Sequence, residues 1–392
     1  MATMPVQLTS PVPTALRHTD LAVARYGELG RRWLEGMTRG DPLTDAVVAD
    51  GAQLVRRAIA EGIEAIEGAP DSLVALFAAL DDRPAWMDGD RCGRAAECIA
   101  RQSPQYGVAL GAASLVSGAQ NTLAGKPLTF TGRYASNAAV RSIEVGSWLL
   151  AVTSQGGLER HGVGFERTVR VRVIHAHVRA RLHSHPGWQS ERWGLPIPQP
   201  YMAFTLAEFC SIALRAMAQL GVRYSDSELE DIHHMWRCVG HLLGVEEDFL
   251  PITADDYARI EALYALTSPG SDDGDRTFVA ALTEFQAAEL ARILPARWTH
   301  AVVQGLQRSF VGDAVADDLA IPDTWCKRLP LVIGPVSAFG YGAIDTLVPR
   351  GKERRSARAA RTRVKELERL REQYGVAHEL VDDSPELRSR VG

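Results

Sequence analysis

The densest polar signal in the chain lies at residues 165–185, FERTVRVRVIHAHVRARLHSH. Read as a helix, Thr168, Arg172, His175 and Arg179 follow at spacings of four, three and four, which sets them on one stripe. Val169, Val173 and Ala176 flank that stripe, while Arg170, His177 and Arg181 fall elsewhere around the axis. A neutral imidazole can ligate iron, and guanidinium forks one turn to either side can pair with anionic groups such as haem propionates. The plainer reading is a basic helix with an incidental histidine.

A second unusual stretch precedes it. Between Glu97 and Glu159 there is a single acidic residue, Glu144, inside the helix-like run AAVRSIEVGSWLLAV at 138–152. Residues 102–125 carry no charge and are rich in Gly, Ala and Ser, which lets helix backbones approach each other or a flat ligand closely. A carboxylate isolated in such surroundings is either paired or raised in pKa by desolvation. Arg141, one turn earlier, is its local partner. Two readings stand here: a distal acid–base group, or an ion pair that fixes two helices.

Other candidates carry less. His233, His234 and His241 belong to DIHHMWRCVGHLLGV, whose Trp236, Val239, Leu242 and Leu243 make an apolar face. Neither His234 nor His241, a heptad apart, has a glutamate at an E-x-x-H or H-E-x-x-H spacing, which disfavours a di-iron centre or a zincin; His241 reads as a core histidine. The pair Asp81–Asp82 lacks a third acid at the terpene-cyclase spacing. There is no G-x-x-x-x-G-K-S/T, no G-x-G-x-x-G after a strand and no G-x-S-x-G.

The elements that must position these residues read as helices nearly throughout. Apolar positions recur at three- and four-residue intervals over 42–65 and 72–80. Thr205 with Glu208, Ser225 with Glu228 and Thr253 with Asp256 have the spacing of helix starts. Residues 275–294 and 298–311 predict two more amphipathic helices, and 127–131 is the sole doubtful strand. The pattern predicts an all-α fold of ten or more helices in a single large domain. Its expected divisions are 1–40, an extension and first helix; 41–349, the main domain; and 350–392, a basic helix and tail.

Composition bounds the class. The 392 residues hold 43 Lys and Arg against 48 Asp and Glu, a net charge of -5, so nothing global favours nucleic acid as a partner. Five scattered cysteines without a C-x-x-C argue against a disulfide framework or structural zinc, and none has the Gly-rich loop of a cysteine-ligated haem. Residues 329–344 form the longest apolar stretch but carry two prolines and three glycines, so no transmembrane segment is expected. The first twenty residues lack a basic and then apolar leader, and the expectation is a soluble, cytoplasmic protein. Residues 350–372 hold ten basic and four acidic side chains, which reads as a solvated helix lying on an acidic body, with a weak anionic partner as the alternative.

Taken together, these motifs resemble the latex-clearing protein (rubber oxygenase) and mycophenolic-acid-type prenyl-cleaving oxygenase family, all-helical proteins with b-type haem. The resemblance rests on Arg141 in the helix 140–150, on R-x-x-H-x-x-x-R at 172–179, on W-R-x-V-G-x-L-L-G-V at 236–245 and on Pro251 beyond it, over roughly residues 100–345. It implies globin-like helix packing around a haem with extra helices at both ends, and His175 as the proximal iron ligand of haem b, with Arg172, Arg179 and Thr168 supporting the cofactor. It also implies O2 and a small-molecule substrate as partners. Glu144 and Val145 stand where rubber-cleaving members carry lysine and threonine, and residues 98–143 contain no acid to match the family's upstream glutamate. Glu144 and Arg141 are therefore the expected distal catalytic residues. A haem-binding or haem-free carrier or sensor without turnover is the other reading.

Overall fold

The computed structural model describes residues 9–130 and 138–376, the side chains at 345, 346 and 352 excepted. Among these residues every regular element is a helix. The chain begins with α1 (Thr19–Gly36), α2 (Pro42–Asp50), α3 (Val55–Glu61) and α4 (Asp71–Asp81). Next come α5 (Gly89–Arg101), α6 (Ser103–Ala109), α7 (Leu115–Gly118) and α8 (Thr122–Phe130). The pair α9 (Ala138–Val152) and α10 (Val163–His183) stands at the centre of the sequence. It is followed by α11 (Ser190–Trp193), α12 (Gln199–Ala207), α13 (Ala213–Gln219) and α14 (Asp226–Leu242). Then come α15 (Ala254–Thr267), α16 (Asp273–Leu290), α17 (Ala296–Val311) and α18 (Asp313–Asp318). Two long helices, α19 (Leu329–Leu347) and α20 (Gly351–Gln373), end the described chain.

Local chemistry sets most of these boundaries. Ser225 with Glu228 and Thr253 with Asp256 form reciprocal capping boxes, as their spacing predicts. Asp272 with Asp275 forms a third and starts α16 two residues before the expected position. Thr205 starts nothing. Its hydroxyl donates back to the Tyr201 carbonyl at 2.9 Å, because the helix has already begun at Gln199, behind Pro198 and with Pro200 in its first turn. Residues 127–130 are the end of α8 and not a strand; residue 131 lies outside the described residues.

Two π-turns interrupt the interior. Leu110–Ser114 joins α6 to α7, and Glu208–Ile212 joins α12 to α13. The run Gln199–Gln219 is long and apolar enough to cross a membrane by length and composition, yet 67% of it is buried inside the protein. It is a core helix.

One continuous apolar core runs from Leu16 to Tyr264, with Trp33, Trp236, Tyr257 and Tyr264 fully enclosed. Each such side chain contributes about 1.5–3 kcal/mol over leaving it in water. Trp33, Leu34 and Met37 thus weld the first helix to the body, and the Trp33 indole also donates to Thr267 Oγ1 at 3.0 Å. A smaller core gathers Val116, Phe278, Leu282 and Leu319. The helix α10 lies between α9, α2 and α14. At the far end α20 lies across α5 and α9, held by Arg363, whose guanidinium donates to Thr153 Oγ1 at 2.7 Å. One face of the basic helix is therefore docked rather than solvated.

Candidate functional site

Two arginines of α10 are spent on α2. Arg172 meets Asp41 through Nε–Oδ2 and Nη2–Oδ1 at 2.6 and 2.9 Å, a bidentate pair in which both residues are buried. Arg179 meets Asp45 at 2.8 Å and donates to the Ile197 carbonyl at 3.0 Å. Asp41 stands at the N-cap of α2 but makes no capping bond, since Arg172 and the Thr44 hydroxyl take its carboxylate. Burial works to raise the Asp41 pKa, but the hydrogen bonds and charge of Arg172 outweigh it and hold the group below the usual range. Of the two arginines expected to support a cofactor, each guanidinium grips α2, one turn to either side of His175.

Thr168 is also engaged in packing. Its hydroxyl donates to the Gly164 carbonyl at 2.6 Å and accepts the Trp148 indole N–H at 3.1 Å, which ties α10 to α9. Trp148 continues into an aromatic cluster with Phe209 and Trp236, at ring separations of 5.3 and 6.1 Å. Thr168 thus locks a helix pair.

The glycine-bearing motif at 236–245 belongs to the same assembly. Gly244 has φ +79°, and a Cβ there would lie 2.4 Å from Asp41 Oδ2 and 2.5 Å from Arg172 Nε. Only glycine lets the chain turn this close to the buried ion pair. Gln199, fully buried, closes the region by donating to the carbonyls of Gly40 and Gly244 and accepting from Glu246 N–H.

His175 is different from its neighbours. Among the described residues neither ring nitrogen has a hydrogen-bond partner; Nδ1 is fully buried, and the ring keeps part of its surface open. Burial pushes its pKa down to about 4, and the charges of Arg179 and Arg141 push in the same direction against Asp41. The structure therefore holds a neutral imidazole with an uncommitted lone pair, the state that ligates a metal. Arg141 and Glu144 are half-buried on α9, which packs along α10, so the two α9 candidates and His175 belong to one helix pair.

Three features escape sequence reading. Asp41 and Asp45 look like ordinary first-turn acids; their spacing of four is the one available hint. Glu208 is the second. It sits half-buried on the π-turn after α12, and desolvation raises its pKa to about 8 against a hydrogen bond from Thr205. A Cβ on Gly118 would lie 2.2 Å from its Oε1, and the Ser114 hydroxyl of the other π-turn donates to its carbonyl. Such turns often mark functional positions. The third is Cys92, His234 and Cys238, whose donor atoms lie within 4.8 Å of one another between α5 and α14. Hydrogen bonding with Cys238 draws the Cys92 thiol down to about 6 despite burial. His234 Nε2 already accepts the Asp88 N–H at 3.0 Å, so its lone pair is engaged.

Comparison with known proteins places this arrangement. Residues 102–339 match the family described as ER-bound oxygenase mpaB/B'/Rubber oxygenase, catalytic domain. The chain belongs to this family. A rubber oxygenase from Streptomyces sp. (strain K30) is 28% identical over 168 residues, 41% of this chain and 39% of that protein. The chain thus matches about two fifths of that relative's length. The solved structure of latex clearing protein LCP in the closed state superposes with a TM-score of 0.61 at 20% identity, covering 83% of this chain and 91% of that one. That likeness establishes the shared all-helical fold, and the family's matched region contains Arg141, Glu144, Thr168, Arg172, His175 and Arg179.

Two outcomes are expected. Asp41→Asn leaves Arg172 buried without its anion and should cost on the order of 3–5 kcal/mol, read as a lowered urea midpoint. Glu208 has a raised folded-state pKa, so the native state binds more protons than the unfolded chain between about 4.5 and 8. Its contribution is fully present in acid and is lost as pH rises through 8. Unfolding measured from pH 5 to 9 should therefore show Glu208→Gln with a flatter decline toward alkaline pH, by several kcal/mol in order of magnitude.

Proposed function

We propose that this protein is a haem-dependent oxygenase that uses O2 on an unsaturated, lipophilic small molecule or specialised metabolite inside the cell. The observation that carries the reading is His175, a neutral imidazole without a partner, clamped on both sides and left partly open. Membership in an oxygenase family supports the reaction class.

A b-type haem fits these residues. The chain has no C-x-x-C for covalent attachment, and the imidazole is uncharged and free of competing hydrogen bonds. His175 would hold the iron through Nε2, the ring nitrogen that is not sealed in. When bound, the haem supplies the redox chemistry of dioxygen. The protein's own part is to hold, exclude water and move protons. The Asp41–Arg172 and Asp45–Arg179 pairs fix the helix to either side of the ligand, so the imidazole has little freedom to swing. Small buried residues (Ala109, Ala112, Ala113) pack the acid-free region and keep its dielectric low. In that setting a Glu144 carboxylate oxygen would give or take a proton at the substrate, with Arg141 one turn away on the same helix.

His175→Ala should abolish the Soret band and the bound iron of the purified protein while leaving the helical circular dichroism unchanged. A full haem complement with an unaltered spectrum would overturn the ligand assignment. Glu144→Gln keeps size and removes titration, so it should retain haem and lower O2 uptake with an isoprenoid alkene by a factor on the order of 10². Wild-type uptake at full haem would return Glu144 to a structural ion pair.

A further inference from the structure

The two helices that end the described chain present an unusual surface. α19 touches the body through glycine: Gly334 approaches Gly221 (φ +87°) so closely that a Cβ on Gly221 would lie 2.1 Å from the Gly334 carbonyl oxygen. Its inner side also rests on α17 and α20, with Tyr341 taking a hydrogen bond from Gln105, but its outer side stands clear. Val332, Val336, Phe339 and Leu347 follow at spacings of four, three and eight, one face of a helix, and their exposures are 66, 68, 81 and 80%. At the N-terminal end of α19 the exposed rings of Trp298 and Trp325 meet edge to face, 6.5 Å apart. A soluble body rarely leaves an apolar stripe of this length in water without a use for it.

The helix that follows supplies the charge. On α20, Arg354, Arg358, Arg361 and Lys365 follow at spacings of four, three and four, again one face, and all four are exposed. None of the four has an ion-pair partner among the described residues. The opposite side of α20 is the docked one: Arg363 reaches Thr153, and Arg369 reaches Glu289 and Glu366. The outward cations are therefore surplus to the fold.

We propose that α19 and α20 together form a peripheral docking surface for an anionic lipid bilayer, the apolar stripe and tryptophans entering the headgroup boundary and the basic stripe meeting lipid phosphates and carboxylates. The paired chemistry selects this occupant. A nucleic acid would leave the apolar stripe in water, and a second copy would add a second set of unpaired cations. An amphipathic element with Trp and Phe on one side and Lys or Arg on the other is what interfacial binding requires. This inference is independent of His175 and of the cofactor.

The test uses the full chain and sedimentation with vesicles of phosphatidylcholine, with or without phosphatidylglycerol. Binding is expected only to the anionic vesicles and should weaken as salt is raised. Replacing Arg354, Arg358, Arg361 and Lys365 together by Gln should weaken binding by a factor on the order of 10² or more. Val336→Asp with Phe339→Asp should abolish it at unchanged charge on α20. Helical circular dichroism reports that both variants remain folded. Equal sedimentation of the variants, or none of the parent chain, would overturn the proposal. So would a dimer in light scattering that Phe339→Asp dissolves while vesicles are ignored, which assigns the face to a second copy. Vesicle binding that appears only after removal of residues 377–392 would overturn it in favour of the chain's own tail as occupant.

Discussion

The architecture around His175 depends on one interaction, the bidentate pair between Arg172 and Asp41. Both groups are buried, so each makes the other's burial tolerable; a carboxylate or guanidinium left alone there would face the full desolvation cost. The pair fixes more than two residues. It requires glycine at 244, because no Cβ fits beside it, and it takes the Asp41 side chain away from capping α2. Gln199 then satisfies the carbonyls that this tight packing brings together. A conformationally fixed helix is what a metal-ligating histidine needs, because the ligand geometry must be set before the metal arrives.

The electrostatics of α10 follow from the same arrangement. A helix with this many arginines would repel a histidinium, and the burial of His175 reinforces that repulsion; both effects leave the imidazole neutral. Asp41 opposes this but is already neutralised by Arg172. The arginines thus matter to His175 in two ways, as struts that grip α2 and as charges that keep a proton off the ring. The first would survive replacement by any group that could pair with the acids. The second needs a permanent cation, which guanidinium supplies at every physiological pH.

Composition alone does not separate the two most apolar helical runs of this protein. Gln199–Gln219 and α19 have similar content, yet the first is mostly buried and the second mostly exposed. The difference lies in their partners. The first is surrounded by α14, α15 and the π-turn before α7, whereas α19 meets α13, α17 and α20 on its inner side and leaves its outer side uncovered. Burial belongs to the assembly and not to the segment.

The sequence by itself determined the helical class, the placement of most helices and the one histidine with the right neighbours. These signals are local: a periodicity of 3.6 residues, capping pairs three apart, a stripe at spacings of four, three and four. It also carried enough of the family's motifs at 141, 172–179 and 236–245 to suggest membership. It could not reveal that Arg172 and Arg179 answer to Asp41 and Asp45, nor that Thr168 bonds Trp148. Those acids lie more than 130 residues upstream, and nothing in a single sequence couples charges at that separation. Glu208 was legible only as a helix-start residue, because a desolvated carboxyl and a surface one are the same letter. Nor could the sequence show which face of α20 is docked, since its charges run all round the helix. Tertiary structure decided each of these, for the reason that desolvation and pairing depend on what surrounds a group and not on what precedes it in the chain.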